Sequence, residues 1–336
     1  MIAGILCGLG AALSQSFSYL FTRHFVHTRG SGASRDLFIL GHLWMGLFGI
    51  LGLLLLWPAH ARTILGWPIL LPLLGTSLFY LSGQIGLTYA LRYAEASTVT
   101  PLLGIKVFFQ TLLSLSLGTP SGIGGDRTLT AFQWLAVGLC CVGGISLNYT
   151  GGRIPRRALA GIACTLLTFT FSDYFIGCLV AALIREFGLS TGIAAILGAS
   201  LQYLASGLIV LPFIRTVHHR SARAWRDAAP FALTWFGAML FLFAAIGALG
   251  VILGTILQST RGIMTILIAS AVARLGHEHI EPLHDRGIVL RRVAAGTLMF
   301  VAVTLYVIKD PRHIKMSGGG DDWRGVPWSR KNTITC

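Results

Sequence analysis

Nine apolar windows divide the chain, each free of charge or interrupted by one ionisable side chain, with short polar segments between them. They run Met1–Thr22, Leu37–Ala59 (with His42), Thr63–Leu91, Ala96–Gly125 (with Lys106), Thr128–Gly152, Ala158–Ile184 (with Asp173), Phe187–Ile214, Ala228–Ala273 (with Arg261) and Val293–Ile308. A helix satisfies its own backbone polar groups, and about 20 residues of it cross roughly 30 Å of hydrocarbon. Ala228–Ala273 is too long for one crossing, and the small-residue run Gly247-Ala248-Leu249-Gly250 divides it. The pattern therefore predicts an all-α integral membrane protein with ten transmembrane helices.

Composition agrees with that pattern. The 336 residues are 54% hydrophobic and only 11% charged, with a mean hydropathy of +0.73, outside the range of a soluble domain of this length. A net charge of +14 would suggest nucleic acid in a soluble protein. Here the basic residues lie in short loops and in the last segment, as membrane topology requires, so no nucleic-acid partner is expected. Loops after odd-numbered helices carry 15 Lys and Arg against 3 after even-numbered ones. The positive-inside rule then puts the odd loops in the cytoplasm, although six more bases after residue 308 argue the other way. The first window lacks a basic stretch before it and is expected to be a retained helix, not a signal peptide. Residues 309–336, with Ser317-Gly318-Gly319-Gly320-Asp321-Asp322, read as a flexible polar tail. A multi-pass protein of a bacterial inner membrane is the expected setting, with the lipid bilayer and a small molecule as partners. A homodimer is compatible with the sequence.

The two halves resemble each other. Ala3-Gly4-Ile5 recurs as Ala160-Gly161-Ile162, Ser18-Tyr19 aligns with Asp173-Tyr174, Lys106 with Arg261, and Leu117-Gly118 with Leu275-Gly276. Residues 1–152 and 153–308 are accordingly two five-helix repeats. Five is odd, so the second copy enters the membrane with opposite polarity, the inverted-repeat plan of many secondary transporters. The stretch Tyr89-Ala90-Leu91-Arg92-Tyr93-Ala94-Glu95-Ala96-Ser97, the helix ending Leu117-Gly118, and Trp134-Leu135-Ala136-Val137-Gly138 resemble the EamA repeat of the drug/metabolite transporter superfamily. The second half follows through Gln258-Ser259-Thr260-Arg261-Gly262 and Leu275-Gly276-His277-Glu278. The resemblance implies a ten-helix carrier with a central cavity lined by both halves. Thr119 and His277 stand where such repeats often carry a Glu; the sugar-phosphate and nucleotide-sugar branch of the superfamily is similar in its basic residues on the fourth and ninth helices but tends to have two adjacent bases in the ninth, where Arg261 is followed by Gly262.

Function is concentrated in Lys106, Asp173 and Arg261. A charge at the bilayer centre costs roughly 2.5–3.5 kcal/mol even on the insertion scale, so such residues face a cavity or one another. Two bases facing one cavity make an anion site, with the arginine fork suited to carboxylate or phosphate. The competing assignment is an internal ion pair between Asp173 and one base. Asp173 could also exchange a proton and couple transport to a gradient. Tyr19, Tyr174 and Gln258 adjoin these positions and complete the candidate substrate site. His42, Gln84, Gln110, Gln202 and Tyr203 are further polar residues at membrane depth, of a kind that more often joins helices.

The expected protein is a secondary transporter, by gradient or antiport, of a small polar, anionic metabolite. It is not an enzyme and needs no cofactor or resident metal, since no nucleotide-binding loop or nucleophile motif is present. His277-Glu278-His279 with Glu281, His284 and Asp285 lacks the spacing of a zinc helix and reads as solvated loop. The alternatives are an intramembrane enzyme, with Asp173 and His42 as acid and base, a lipid flippase, or a non-catalytic scaffold.

Overall fold

The structure, a computed structural model, describes residues 1–30, 32–56, 66–118, 130–146, 154–218 and 220–276, with isolated positions between 287 and 305. The helices are α1 (Ile2–Arg29), α2 (Ala33–Leu56), α3 (Trp67–Tyr93), α4 (Ala96–Leu102), α5 (Lys106–Leu117) and α6 (Ala131–Ser146). They continue as α7 (Arg156–Phe187), α8 (Thr191–Val210), α9 (Ala222–Leu249), α10 (Val251–Ser259) and α11 (Arg261–Arg274). Among the described residues, eight segments are long and apolar enough to cross a membrane, with α4–α5 and α10–α11 each forming one; α6 is shorter. This is a helical, multi-pass membrane protein. The predicted tenth span, Val293–Ile308, lies outside the described residues except at scattered positions, as do the 277–286 cluster and the polar tail.

The helices outrun their apolar windows. At 1.5 Å per residue, the 28 residues of α1 extend well past the hydrocarbon thickness. Its last turn reaches polar surroundings, where Arg29 Nη2 lies 2.6 Å from Asp227 Oδ2. Beside it, the ring of His218 meets Arg35, and the His218 backbone N–H donates to Asp36 Oδ1 at 3.1 Å. The segments following α1 and preceding α9 therefore share one end of the bundle. The break between α9 and α10 falls at Gly250, within the run the sequence singled out. Its φ of 84° is a conformation that glycine adopts without penalty.

Helix partners follow a regular scheme. The most extensive contacts are α3 with α7, α1 with α9, and α2 with α8. Smaller ones join α1 to α11, α5 to α7, α4 to α11, and α5 to α10. Exchanging α1–α5 with α7–α11 in order maps these seven pairs onto one another, whereas the α1–α10 contact has no α4–α7 counterpart of similar extent. Small residues permit close crossings: a Cβ added to Gly161 of α7 would lie 2.6 Å from the Gly86 carbonyl oxygen of α3, and one added to Gly49 of α2 would lie 2.6 Å from the Ser200 carbonyl oxygen of α8. Such an approach strengthens van der Waals packing where lipid supplies no hydrophobic drive between helices.

The α4–α5 and α10–α11 segments are not uniform α-helices. Pro101 lacks the N–H an α-turn needs, and the chain tightens into a 3₁₀ turn at Leu103–Ile105 before α5 resumes at Lys106. In the second half, the hydroxyls of Ser259 and Thr260 bond back to the carbonyls of Ile256 (2.6 Å) and Leu257 (2.7 Å). Such local bonds compete with the helical ladder, and α11 starts at Arg261. Both bases, which sequence reasoning places within continuous helices, are thus first residues after an interruption.

Candidate functional site

Lys106, Asp173 and Arg261 are 2%, 4% and 1% exposed. Asp173 sits in the middle of α7 and is reached across the α5–α7 contact. Lys106 Nζ donates to Asp173 Oδ2 at 2.5 Å and to Gln258 Oε1 of α10 at 2.6 Å, and lies 6.0 Å from the centre of the Phe169 ring. Thr255 Oγ1, one turn before Gln258, lies 3.5 Å from the same carboxylate oxygen. This pair is internally complete. A buried ammonium and carboxylate joined by hydrogen bonds offset much of each other's desolvation.

Arg261 has no such partner. Its Nη1 donates to the neutral amide of Gln15 in α1 at 2.7 Å, and Gln15 Nε2 points to Met239 Sδ of α9 at 3.7 Å. The guanidinium carbon lies 5.9 Å from the centre of the Tyr19 ring, and Ser16 Oγ donates to the Arg261 carbonyl at 3.2 Å. Its Nε and the Tyr19 hydroxyl are buried without hydrogen-bond partners, and no described acidic group forms an ion pair with it. The described charges at this depth therefore sum to one uncompensated positive charge.

Gln15, Tyr80, Lys106, Phe169, Ser172, Asp173, Trp235, Met239 and Gln258 surround a cavity with room for about one water molecule. Its walls come from both halves of the chain. Its aromatic side is a contiguous packed cluster: Trp235 Nε1 donates to the Tyr203 hydroxyl at 2.9 Å, Tyr203 meets Tyr80 edge-on at 5.3 Å, and Tyr80 stacks on Phe169 at 6.1 Å. The space is that of about one water, so anything larger requires the helices to part.

Of the six residues the sequence selects, Lys106, Asp173 and Gln258 meet directly. Arg261 and Tyr19 adjoin them through Gln15. Tyr174 does not line the cavity; it is buried with its ring 6.0 Å from Phe175. Neighbours on a helix point in different directions, and Asp173 takes the inward one. Sequence reasoning missed Gln15, Thr255, Met239 and the aromatic wall of Tyr80, Phe169 and Trp235. Gln15 carried one legible signal, an amide in an apolar helix one turn before Tyr19. Among the described residues, no cluster of His, Cys, Asp or Glu could hold a metal ion.

A second polar feature extends from the pair. Lys106, Gln110 and Ser114 recur every fourth residue along α5, all buried. Both amide atoms of Gln110 and the Ser114 hydroxyl lack partners, as does Thr265, one turn beyond Arg261 on α11. An unsatisfied buried polar group costs roughly 1–3 kcal/mol. Replacing Gln110→Leu is therefore expected to raise folding stability by about that amount, measured as an upward shift in the unfolding midpoint in detergent. A lowered midpoint would mean that the amide is satisfied in the folded protein.

No family model matches the chain, and no curated protein matches it. A solved structure described only as "Crystal structure of protein" shares its fold, with a TM-score of 0.61 at 16% identity over 93% of this chain and 99% of that one. This likeness establishes the fold alone.

Proposed function

We propose that the protein is a secondary transporter of the EamA type, built as two inverted five-helix repeats, that moves a small anionic metabolite by alternating access. The observation that carries this reading is Arg261, buried at the interface of the halves with a neutral amide as its hydrogen-bond partner. An arginine held in that state is completed by an anion, and its planar fork suits a carboxylate, sulfate or phosphate. The principal helix pairs, α3 with α7, α1 with α9 and α2 with α8, exchange with one another when α1–α5 and α7–α11 are swapped, which supports the inverted repeat. The unsatisfied polar atoms of Gln110 and Ser114 on α5 and Thr265 on α11 support passage, since they lie one or two turns from the two bases. Along the chain direction of their helices, these stripes lead to opposite ends.

One observation favours a structural assignment for part of the cluster: Lys106 and Asp173 satisfy each other. In the carrier they hold α5, α7 and α10 together while Arg261 receives cargo. An empty site carries a net charge through the closed state and a loaded one does not, which favours exchange over uncoupled flux.

A thermal-stability screen of the purified protein tests the reading, because a ligand of the native state raises apparent stability by mass action. Phosphorylated sugars, carboxylates, amino acids and cationic drugs are the panel. Stabilisation by anions, with counterflow of the same anions in proteoliposomes, is the expected result. Stabilisation by cations alone would overturn the anionic cargo, and binding without counterflow would overturn transport.

A further inference from the structure

The charges of the site set the charge of its cargo. Lys106 and Arg261 contribute two positive charges and Asp173 one negative, all at most 4% exposed. His42, the titratable group beyond Tyr80, has its Nδ1 2.6 Å from the Phe38 carbonyl and its Nε2 without a partner, an arrangement that suits a neutral ring. Lys106 and Asp173 are the charged side chains of the cavity wall; its other members are the neutral polar Gln15, Ser172 and Gln258 and the ring and thioether groups of Tyr80, Phe169, Trp235 and Met239.

In such a site an unbalanced charge is felt strongly, since interaction energy rises as the effective dielectric falls. A cargo with one negative charge makes the loaded site neutral. A dianion leaves it as far from neutrality as the empty site, with the opposite sign and Asp173 nearby to repel it. The aromatic wall offers little to a second negative charge: the Trp235 N–H is already given to Tyr203, and the Tyr80 O–H is turned toward Met45 Sδ at 3.9 Å.

We infer that the cargo is a monoanion, a carboxylate or sulfate-type acid with an apolar body that rests against Tyr80, Phe169 and Trp235, and that dianions of the same shape are rejected. This rests on the anion-carrier reading above. Asp173 then acts as a selectivity residue, holding the net charge of the site at a value that one negative charge cancels.

Phenyl sulfate and phenyl phosphate are close in shape, and near pH 7.5 they differ by almost one charge, because the second phosphate ionisation falls near pH 6. Methyl sulfate and methyl phosphate repeat the comparison for a smaller body. Binding to the detergent-purified protein should favour the sulfate of each pair by about tenfold or more. Asp173→Asn adds one positive charge while keeping an amide oxygen for Lys106, and should move the preference toward the phosphate. Asp173→Asn combined with Lys106→Gln returns the net charge to its original value and should return the preference to the sulfate, which separates charge from any local loosening. Equal binding of sulfate and phosphate by the unaltered protein, or a preference unmoved by Asp173→Asn, would overturn the monoanion inference and leave an anion site standing. Failure of all four probes to bind the unaltered protein would overturn the anion site itself.

Discussion

Asp173→Ala is expected to destabilise the folded protein by about 3–5 kcal/mol, the usual result of removing one partner of a buried ion pair. The carboxylate accepts from Lys106 at 2.5 Å in a region where both side chains are almost wholly buried. Without it, the ammonium keeps only the Gln258 oxygen at 2.6 Å and the Phe169 ring face. An amide oxygen does not repay the desolvation of a full charge. The effect should vanish in large part when Lys106→Met accompanies Asp173→Ala, because methionine fills similar volume with an uncharged chain. Denaturant or thermal unfolding of both variants in the same detergent measures the difference. Equal destabilisation of the single and the double variant would show that the loss arises from repacking of α7 and not from an orphaned charge.

The ion pair was legible as one of two assignments, because an acid and two bases isolated in apolar windows must meet something. Which base Asp173 takes was not legible. The sequence alignment of the two halves pairs Lys106 with Arg261, and either could face α7 in a one-dimensional reading. Three dimensions separate them: α5 packs on α7, whereas α11 packs on α1. Arg261 therefore meets Gln15, 246 residues away in sequence, and no local pattern marks that contact. The apolar windows located the eight described segments that are long and apolar enough to cross a membrane, because hydrocarbon imposes one rule on every crossing. They could not show the interruptions at Leu103–Ile105 and Thr260, since a 3₁₀ turn uses the same apolar and small residues as the helix around it. Pro101 and the Ser259-Thr260 pair were visible signals of those interruptions, each for a different physical reason. The aromatic wall was hidden for a third reason. Tyr80, Phe169 and Trp235 are apolar residues within apolar helices, and only the convergence of α3, α7 and α9 distinguishes them from lipid-facing rings such as Phe171, which is 37% exposed.

Arg261→Gln is expected to abolish anion binding and exchange while leaving the protein inserted and folded. A charge-assisted contact contributes roughly 1.5–3 kcal/mol, so binding should weaken by about 10- to 100-fold from that term alone. The loss of electrostatic attraction in a poorly hydrated site adds to it. Stability should hold or rise. Arg261 has no described ion-pair partner to orphan, its Nε is already unsatisfied, and a glutamine amide removes an uncompensated charge from the bundle. This opposite direction distinguishes Arg261 from Asp173, whose loss should destabilise. Arg261→Lys should recover part of the binding, since it restores the charge but not the planar fork. Counterflow in proteoliposomes, read beside the unfolding midpoint of each variant, checks both halves of the expectation. Normal exchange by Arg261→Gln would remove the site from Arg261, and a collapse of stability in the same variant would assign the arginine to holding α11 against α1.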